Sequence, residues 1–510
     1  MNDFTFILMV YNLSSTNSLL STEQIQVSNV LNQLTGIDTT GISFVTIENL
    51  PRASPDGSRN YNNTLVFNIS GDGINEPNRE LLFKMGKVNV GDADGLAGIL
   101  LMIKERCPAN KYVILTFDHS NFIGHLLNNL GNRTGFRRSA AFTVLQAHEQ
   151  NILQGKPATG ITEAILSGAQ PEEIMRLKKS LDDLPRWDKM LYDKDTYDKS
   201  SVSKQDMLTN AELANALYKV FNLNARPGES GRVEAIFFDT CYTSCIDNLY
   251  LYGNVVNYMV SSQGEMNYNS INIKKVIGYF LGNKHDTKAV INLFFKNFET
   301  DFKSVNTGAI ALNDLQRMVL AGVKLGDSFQ ENLRELFNPL VMSLINDIVP
   351  VYDTLSSIGS QAALQDCFNI YEKKSPVDLN EDPSETYSFC VDLVNFFTLL
   401  KQEPALAHLV APIDALLSFL NCNQFEVFTG LQVDPSFKGL AIFLPPDVNL
   451  LGEKKKEQVA YNYSPFSDFQ NDFARQTPWP EFLQLFNKMR QATGFTFLKP
   501  TTPAACHATA

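Results

Sequence analysis

Lys111-Tyr112-Val113-Ile114-Leu115-Thr116-Phe117-Asp118-His119-Ser120 is the stretch whose reading decides the fold. From Tyr112 to Phe117 every residue is aromatic, aliphatic or β-branched, and then the chain turns polar at once. So short a continuous apolar run fits a strand covered on both faces, the kind found inside parallel sheets. Just before it, Asp94 to Cys107 has helical spacing, with Asp94 at the N-cap position and Pro108 as the stop. Further upstream, Phe4 to Tyr11 is a second near-continuous apolar run, and Gln24 to Leu34 sets Ile25, Val27, Val30 and Leu31 on one helical face. Ser43 to Ile47 and Thr64 to Ile69 read as strands, the latter ending in the turn Ser70-Gly71-Asp72-Gly73. Downstream, Ala211 to Phe221 is helical, Val233 to Phe238 is a strand, and Val255 to Val260 supplies another. Strands alternating with helices predict an α/β fold: a mostly parallel sheet flanked by helices.

Beyond about residue 300 the pattern becomes mainly helical, over Leu312 to Val323, Phe329 to Ile345 and Tyr387 to Leu400. One late strand near 439–444 stops at Pro445-Pro446. The expected division is therefore an α/β domain over 1–300 and a mainly helical C-terminal subdomain over 301–510. Between Lys178 and Asp206, 14 of 29 residues are charged, against 19% in the whole chain, so this stretch reads as a solvated insertion rather than core.

Composition narrows the function. The chain has 510 residues, 44% hydrophobic, which is globular. Its net charge of −12 repels phosphate backbones, so no nucleic-acid partner is expected. The most apolar stretch, Ala405 to Leu420, is broken by His408, Pro412 and Asp414 and reads as a buried helix, not a membrane span. No Lys or Arg precedes Arg52, so the basic region of a secretory signal is missing. The expectation is a cytoplasmic protein as written, or a secreted one if the sequence is a processed form. Seven cysteines do not form a disulfide framework and read as reduced thiols.

Nucleotide-binding loops and the G-x-S-x-G nucleophile elbow are absent. Cys241 and Cys245 lie four apart with no second ligand pair at zinc spacing. Asp193-x-Asp195-x-x-Asp198 lacks the glycine and distal glutamate of a calcium loop. The histidines discriminate better. Of six, only His119 stands at the carboxyl end of a core strand; His125, His148, His285, His408 and His507 do not. Among the cysteines only Cys241 has that placement, in Ile236-Phe-Phe-Asp-Thr-Cys241. The carboxyl ends of parallel strands share one edge, where α/β sites are built. Ser244-Cys-Ile-Asp247 has the spacing of a capping box, which would start a helix just past the thiol. A thiolate with a positioned imidazole is the minimum apparatus for acyl transfer. The bland alternative is a buried cysteine and a hydrogen-bonded core histidine that never meet.

Strand-Asp118-His119 followed much later by strand-Asp239-Thr240-Cys241 resembles the clostripain-like cysteine peptidases, of the caspase and gingipain clan. Ile7 to Tyr11, Val260-Ser-Ser-Gln263, Thr307 to Leu315 and Gly439 to Pro445 are similar to further family segments, in the same order. The family's Gly after the histidine is Ser120 here, and its Ala before the nucleophile is Thr240. The resemblance implies a caspase-like α/β core and a cysteine endopeptidase cleaving proteins or peptides after Arg or Lys. Cys241 would be the nucleophile, His119 the general acid, and the N–H groups of Ser120 and Cys241 the oxyanion donors. Asp239 and Glu265 would face the substrate's basic side chain. No cofactor is needed for the chemistry, although the resemblance leaves room for Ca2+; a monomer is expected. A catalytically silent caspase-like protein used for partner binding is the alternative. Lys194, Lys199 and Lys204 in the insertion, and Arg133, Arg137 and Arg138, are candidate self-processing sites.

Overall fold

The computed structural model describes residues 2–11, 32–53, 60–86, 90, 93–117, 124–125, 208–225, 230–264, 266, 270–306, 309–326, 328–359, 390–431, 433, 437–444 and 472–493. The charged insertion, most of the helix expected over Gln24 to Leu34, His119, Ser120, Glu265 and all six candidate processing residues lie outside them.

In chain order the strands are β1 (Asn2–Tyr11), β2 (Ile42–Ala53), β3 (Asn60–Ser70), β4 (Asn78–Gly86), β5 (Ala109–Phe117), β6 (Gly124–His125), β7 (Leu208–Thr209), β8 (Val233–Asp239), β9 (Val256–Ser262), β10 (Val319–Lys324), β11 (Cys390–Asp392), β12 (Gln424–Thr429) and β13 (Ala441–Phe443). Nine form one sheet in the order β12-β10-β9-β8-β5-β1-β2-β3-β4. The five inner strands, from β2 through β1, β5 and β8 to β9, are parallel. Antiparallel strands extend the sheet on both sides.

The unbroken apolar runs have a simple consequence in this sheet. Side chains alternate along a strand. In β1, Phe4, Phe6, Leu8 and Val10 face one core with Phe44, Leu115 and Phe237. Ile7 and Met9 face the other with Val45, Ile114 and Ile236. Helices Ile273–Gly282 and Thr287–Val305 cover the first face, where Phe237 meets Phe280 and Phe294 edge-on at 6.2 and 5.5 Å. Helices Ala93–Arg106, Asn210–Leu217, Ile246–Tyr252 and Phe329–Asn346 lie against the second. Each such buried side chain contributes about 1.5–3 kcal/mol.

Three expectations need correction. Leu312 to Val323 is not one helix: a helix over Ala309–Leu315 gives way to β10, which extends the main sheet. Its Gly322 explains the fit, because a Cβ there would approach the Phe295 ring to 3.0 Å and Ile291 to 3.3 Å. Tyr387 to Leu400 likewise splits; β11 occupies its middle and the helix begins at Leu393, capped by Asp392. The C-terminal half is therefore less uniformly helical than its spacing suggests. The third correction concerns helix starts. The helix after β8 begins at Ile246 with Cys245 at its N-cap and no capping side chain, so Ser244 to Asp247 is no capping box. The working box is Thr209 to Glu212, with Glu212 N–H donating to Thr209 Oγ1 at 3.0 Å and Thr209 N–H to Glu212 Oε2 at 2.8 Å.

Pro404–Asn423 is the one segment, among the described residues, long and apolar enough to cross a membrane by length and composition. It changes from 3-10 to α at Val410. Its Leu409, Ile413, Leu416 and Leu420, spaced four, three and four apart, are buried in the core as one helical stripe.

Candidate functional site

β5 and β8 run side by side and in register, with Phe117 level with Asp239 at their carboxyl ends. Two residues past Asp239 is Cys241, and two residues past Phe117 is His119. β8 is buried along its whole length, so its last residues are fixed by packing on both faces. The chain then bends at Thr240 and turns at Cys241. Tyr242 has φ of 55°, left-handed for a bulky residue, which costs about 1–2 kcal/mol and persists only where surroundings impose it. They do so here: Tyr242 N–H donates to Gly264 O at 3.0 Å, and Ser244 N–H to Ser262 O at 2.7 Å.

Cys241 is half-buried, and Met266 N–H points at its Sγ from 3.3 Å. The thiol in turn lies 3.5 Å from Met266 O as donor. Cys245 is different in kind. It is fully buried and donates to Asp247 Oδ2 at 2.9 Å, so it is a structural thiol out of reach of any peptide. None of Cys107, Cys241, Cys245 and Cys422 is in a disulfide.

Asp239 is 7% exposed, and its two carboxylate oxygens accept the N–H groups of Ser270 and Ile271, each at 3.2 Å. Burial outweighs those two bonds and pushes its pKa from the ordinary 3.8 up to about 8. The folded protein therefore holds a proton that the unfolded chain releases. Its stabilising effect is complete below the unfolded value and is lost as pH rises towards about 8. Asp239→Asn should thus gain melting temperature relative to wild type as pH is raised across that window. An offset that stays constant with pH would show that Asp239 does not titrate this way.

The structure brings Cys241 and Asp239 to one edge of the sheet, with the thiol on the surface side and the carboxyl turned into the loop that follows β9. Glu265 lies between the described Gly264 and Met266 but outside the described residues, as do His119 and Ser120. Ser244, Gln263 and Gly439, which the sequence marked only as parts of motifs, hold this edge together with Asp392. Ser244 Oγ donates to Gly439 O at 2.5 Å, and Ala441 N–H donates to Ser244 O at 2.9 Å. Gln263 is 2% exposed; its Nε2 donates to Asp392 Oδ2 at 3.0 Å and Leu440 O at 3.2 Å, and its Oε1 accepts from Gly439 N–H at 2.9 Å. Asp392 also accepts from Lys438 N–H at 2.7 Å and Asn395 N–H at 2.8 Å. Gly439 was visible as a glycine before a strand, and its φ of 80° accounts for it. Nothing in the sequence pointed to Asp392. Among the described residues, no group of three or more His, Cys, Asp or Glu is placed to hold a metal ion.

No protein-family profile matches the sequence. No curated protein matches it. Solved structures do. A secreted C11 cysteine protease from Bacteroides thetaiotaomicron in complex with an irreversible peptide inhibitor is 11% identical, covering 93% of this chain and 99% of that one at a TM-score of 0.46. A structure of a secreted C11 cysteine protease from the same organism, called iotapain, is 13% identical, covering 90% and 98% at 0.47. An inactive zymogen C11 protease from Parabacteroides distasonis is 11% identical, covering 92% and 98% at 0.45.

Proposed function

We propose that this chain is a cysteine endopeptidase in which Cys241 attacks the scissile carbonyl. The observation that carries the reading is the Cys241 turn itself. It is a half-buried thiol at the carboxyl end of an inner parallel strand, followed at once by a left-handed tyrosine. A loop held in a costly conformation beside a nucleophile is a feature of functional sites. The reaction needs a thiolate, a proton donor for the leaving amine, and N–H groups where the oxyanion forms. His119, two residues along the sequence from the last residue of β5, is the proposed general acid. The N–H groups of Ser120 and Cys241 are the proposed oxyanion donors. The mechanism routes no step through a metal, and the protein is proposed to act as a monomer on protein or peptide substrates.

Labelling by a peptide mimic carrying a thiol-directed warhead tests the assignment. Label should reach Cys241 in wild type and be lost in His119→Ala. Equal labelling of both proteins would remove His119 from the reaction.

Asp239 and Glu265 are the proposed acids for a basic P1 side chain. A carboxyl pushed up to about 8 is mostly neutral at pH 7, so its pull on a cation grows as pH rises through that value. Preference for Arg and Lys over neutral P1 residues should therefore increase from pH 6 to 9, read as the ratio of kcat/KM values. A profile favouring Asp or large apolar residues at P1 would overturn the specificity.

One observation favours a second reading, a catalytically silent caspase-like protein. The Met266 main chain already occupies the thiol, with its N–H 3.3 Å and its carbonyl oxygen 3.5 Å from Sγ. Self-processing separates the two. Incubated wild type should acquire new N-termini within residues 133–204, after Arg133, Arg137, Arg138, Lys194, Lys199 or Lys204, and Cys241→Ala should not. A chain that stays intact at 57.0 kDa while cleaving peptides would end the self-processing proposal and leave the peptidase standing.

A further inference from the structure

We infer that Gln263 and Asp392 are positioning residues that set the Cys241 loop through the segment Lys438–Ala441, so that the C-terminal half of the chain completes the site. The inference rests on the peptidase reading for its consequence in catalysis, and on geometry alone for the linkage.

The linkage is continuous. Gln263 follows β9, and its neighbours Ser262, Gly264 and Met266 contact the nucleophile turn. Ser262 O accepts from Ser244 N–H, Gly264 O accepts from Tyr242 N–H, and Met266 meets Cys241 Sγ. Its side chain grips the other supporting segment, using both amide functions on Asp392, Gly439 and Leu440. That segment holds Ser244 from the opposite side, by Gly439 O and Ala441 N–H, and Cys245 pairs with Ala441 as an isolated parallel bridge. Residues 240–245 are thus clamped between two stretches of chain, and Gln263 joins the two stretches.

The clamp is stiff because its side chains are sealed from water. Gln263 and Asp392 are 2% and 1% exposed, so water cannot replace a lost bond without entering the core. A Cβ on Gly439 would come within 2.9 Å of Gln424 Nε2 and 3.0 Å of Ala321 Cβ, so this main chain has no room to drift. Burial raises the Asp392 pKa, while four donated or electrostatic contacts, from Lys438 N–H, Asn395 N–H, Gln263 and the Lys438 charge, oppose it. A nucleophile displaced by a fraction of an ångström loses rate without losing affinity, which is how a positioning residue declares itself.

The test uses the full-length chain and Gln263→Leu, which keeps the volume and removes donor and acceptor together. Three readouts are taken. Hydrogen exchange should accelerate at Gly439, Ala441 and Ser244 while β1 and β5 stay protected. The rate of Cys241 alkylation by iodoacetamide, which requires no peptidase activity, should change about fivefold or more, and kcat on a peptide with Arg at P1 should fall about tenfold or more with KM within about twofold. Gln263→Glu keeps the acceptor for Gly439 N–H but sets a carboxylate against Asp392 and the Leu440 carbonyl, so it should shift the alkylation rate in the same direction as Gln263→Leu. Should Gln263→Leu fail to fold, Ser244→Ala removes the Gly439 contact alone and should shift the alkylation rate in the same direction. Unchanged alkylation and exchange in a folded variant overturn the inference. Altered alkylation in a protein that cleaves no peptide leaves the clamp standing and removes the peptidase reading.

Discussion

Cys241→Ala is expected to abolish peptide cleavage, a loss on the order of a thousandfold or more, because removing a covalent nucleophile removes the reaction path and not merely one contact. The fold should survive. Cys241 is half-buried at a turn, and Ala replaces it with the loss of one sulfur and its bonds to Met266. A thermal melt within a few degrees of wild type, alongside absent turnover, is the expected pair of results. Cys245→Ala is the informative comparison. Its thiol is sealed in and bonded to Asp247, so this variant should lose stability rather than chemistry. Wild-type turnover in Cys241→Ala, with or without the second change, would end the assignment.

The largest effect on stability is expected at Trp479. Its ring is fully buried, stacks on Phe482 at 4.7 Å, and lies 5.9 Å from Phe337 and 6.0 Å from Phe396. Its Nε1 donates to Phe443 O at 2.8 Å, which ties the helix Trp479–Thr493 to β13. Trp479→Ala should cost about 3–5 kcal/mol, combining lost burial with the cavity left behind. Trp479→Phe keeps most of the apolar contact and removes the buried hydrogen bond to the Phe443 carbonyl, so it should cost about 1–3 kcal/mol. Both are read from urea midpoints at constant slope. Because β13 continues from the segment that holds Ser244, Trp479→Ala should also loosen the Cys241 turn. A cost below about 1 kcal/mol would mean that the C-terminal helix contributes little to the core.

The inner sheet was legible in the sequence because its strands are buried on both faces. A strand such as Phe4 to Tyr11 or Ala235 to Phe238 has little room for polar residues on either side, so it appears as a nearly unbroken run; Glu234, just before the second, is buried with Lys111, Asn257 and Thr287 as partners. Cys241 was legible for the same reason: it stands where such a run ends, and the chemistry of α/β sheets gathers at that edge. Of the outer strands, β3 was legible as Thr64 to Ile69, and β4, β10 and β12 were not. β10 is a six-residue strand, apolar from Val319 to Val323, and β12 is a six-residue edge strand of mixed pattern, and over six residues helical and extended spacing cannot be told apart. The sequence by itself determined the alternation of elements, the parallel core and the residue at its chemical edge, since these follow from local periodicity and from where polarity begins. Tertiary structure alone decided the left-handed turn at Tyr242, the burial that raises the Asp239 pKa, and the bonds that join Gln263 to Asp392 across 129 positions of sequence. Those depend on which distant segments meet, and on how completely water is removed where they do, and neither is written in any local stretch of the chain.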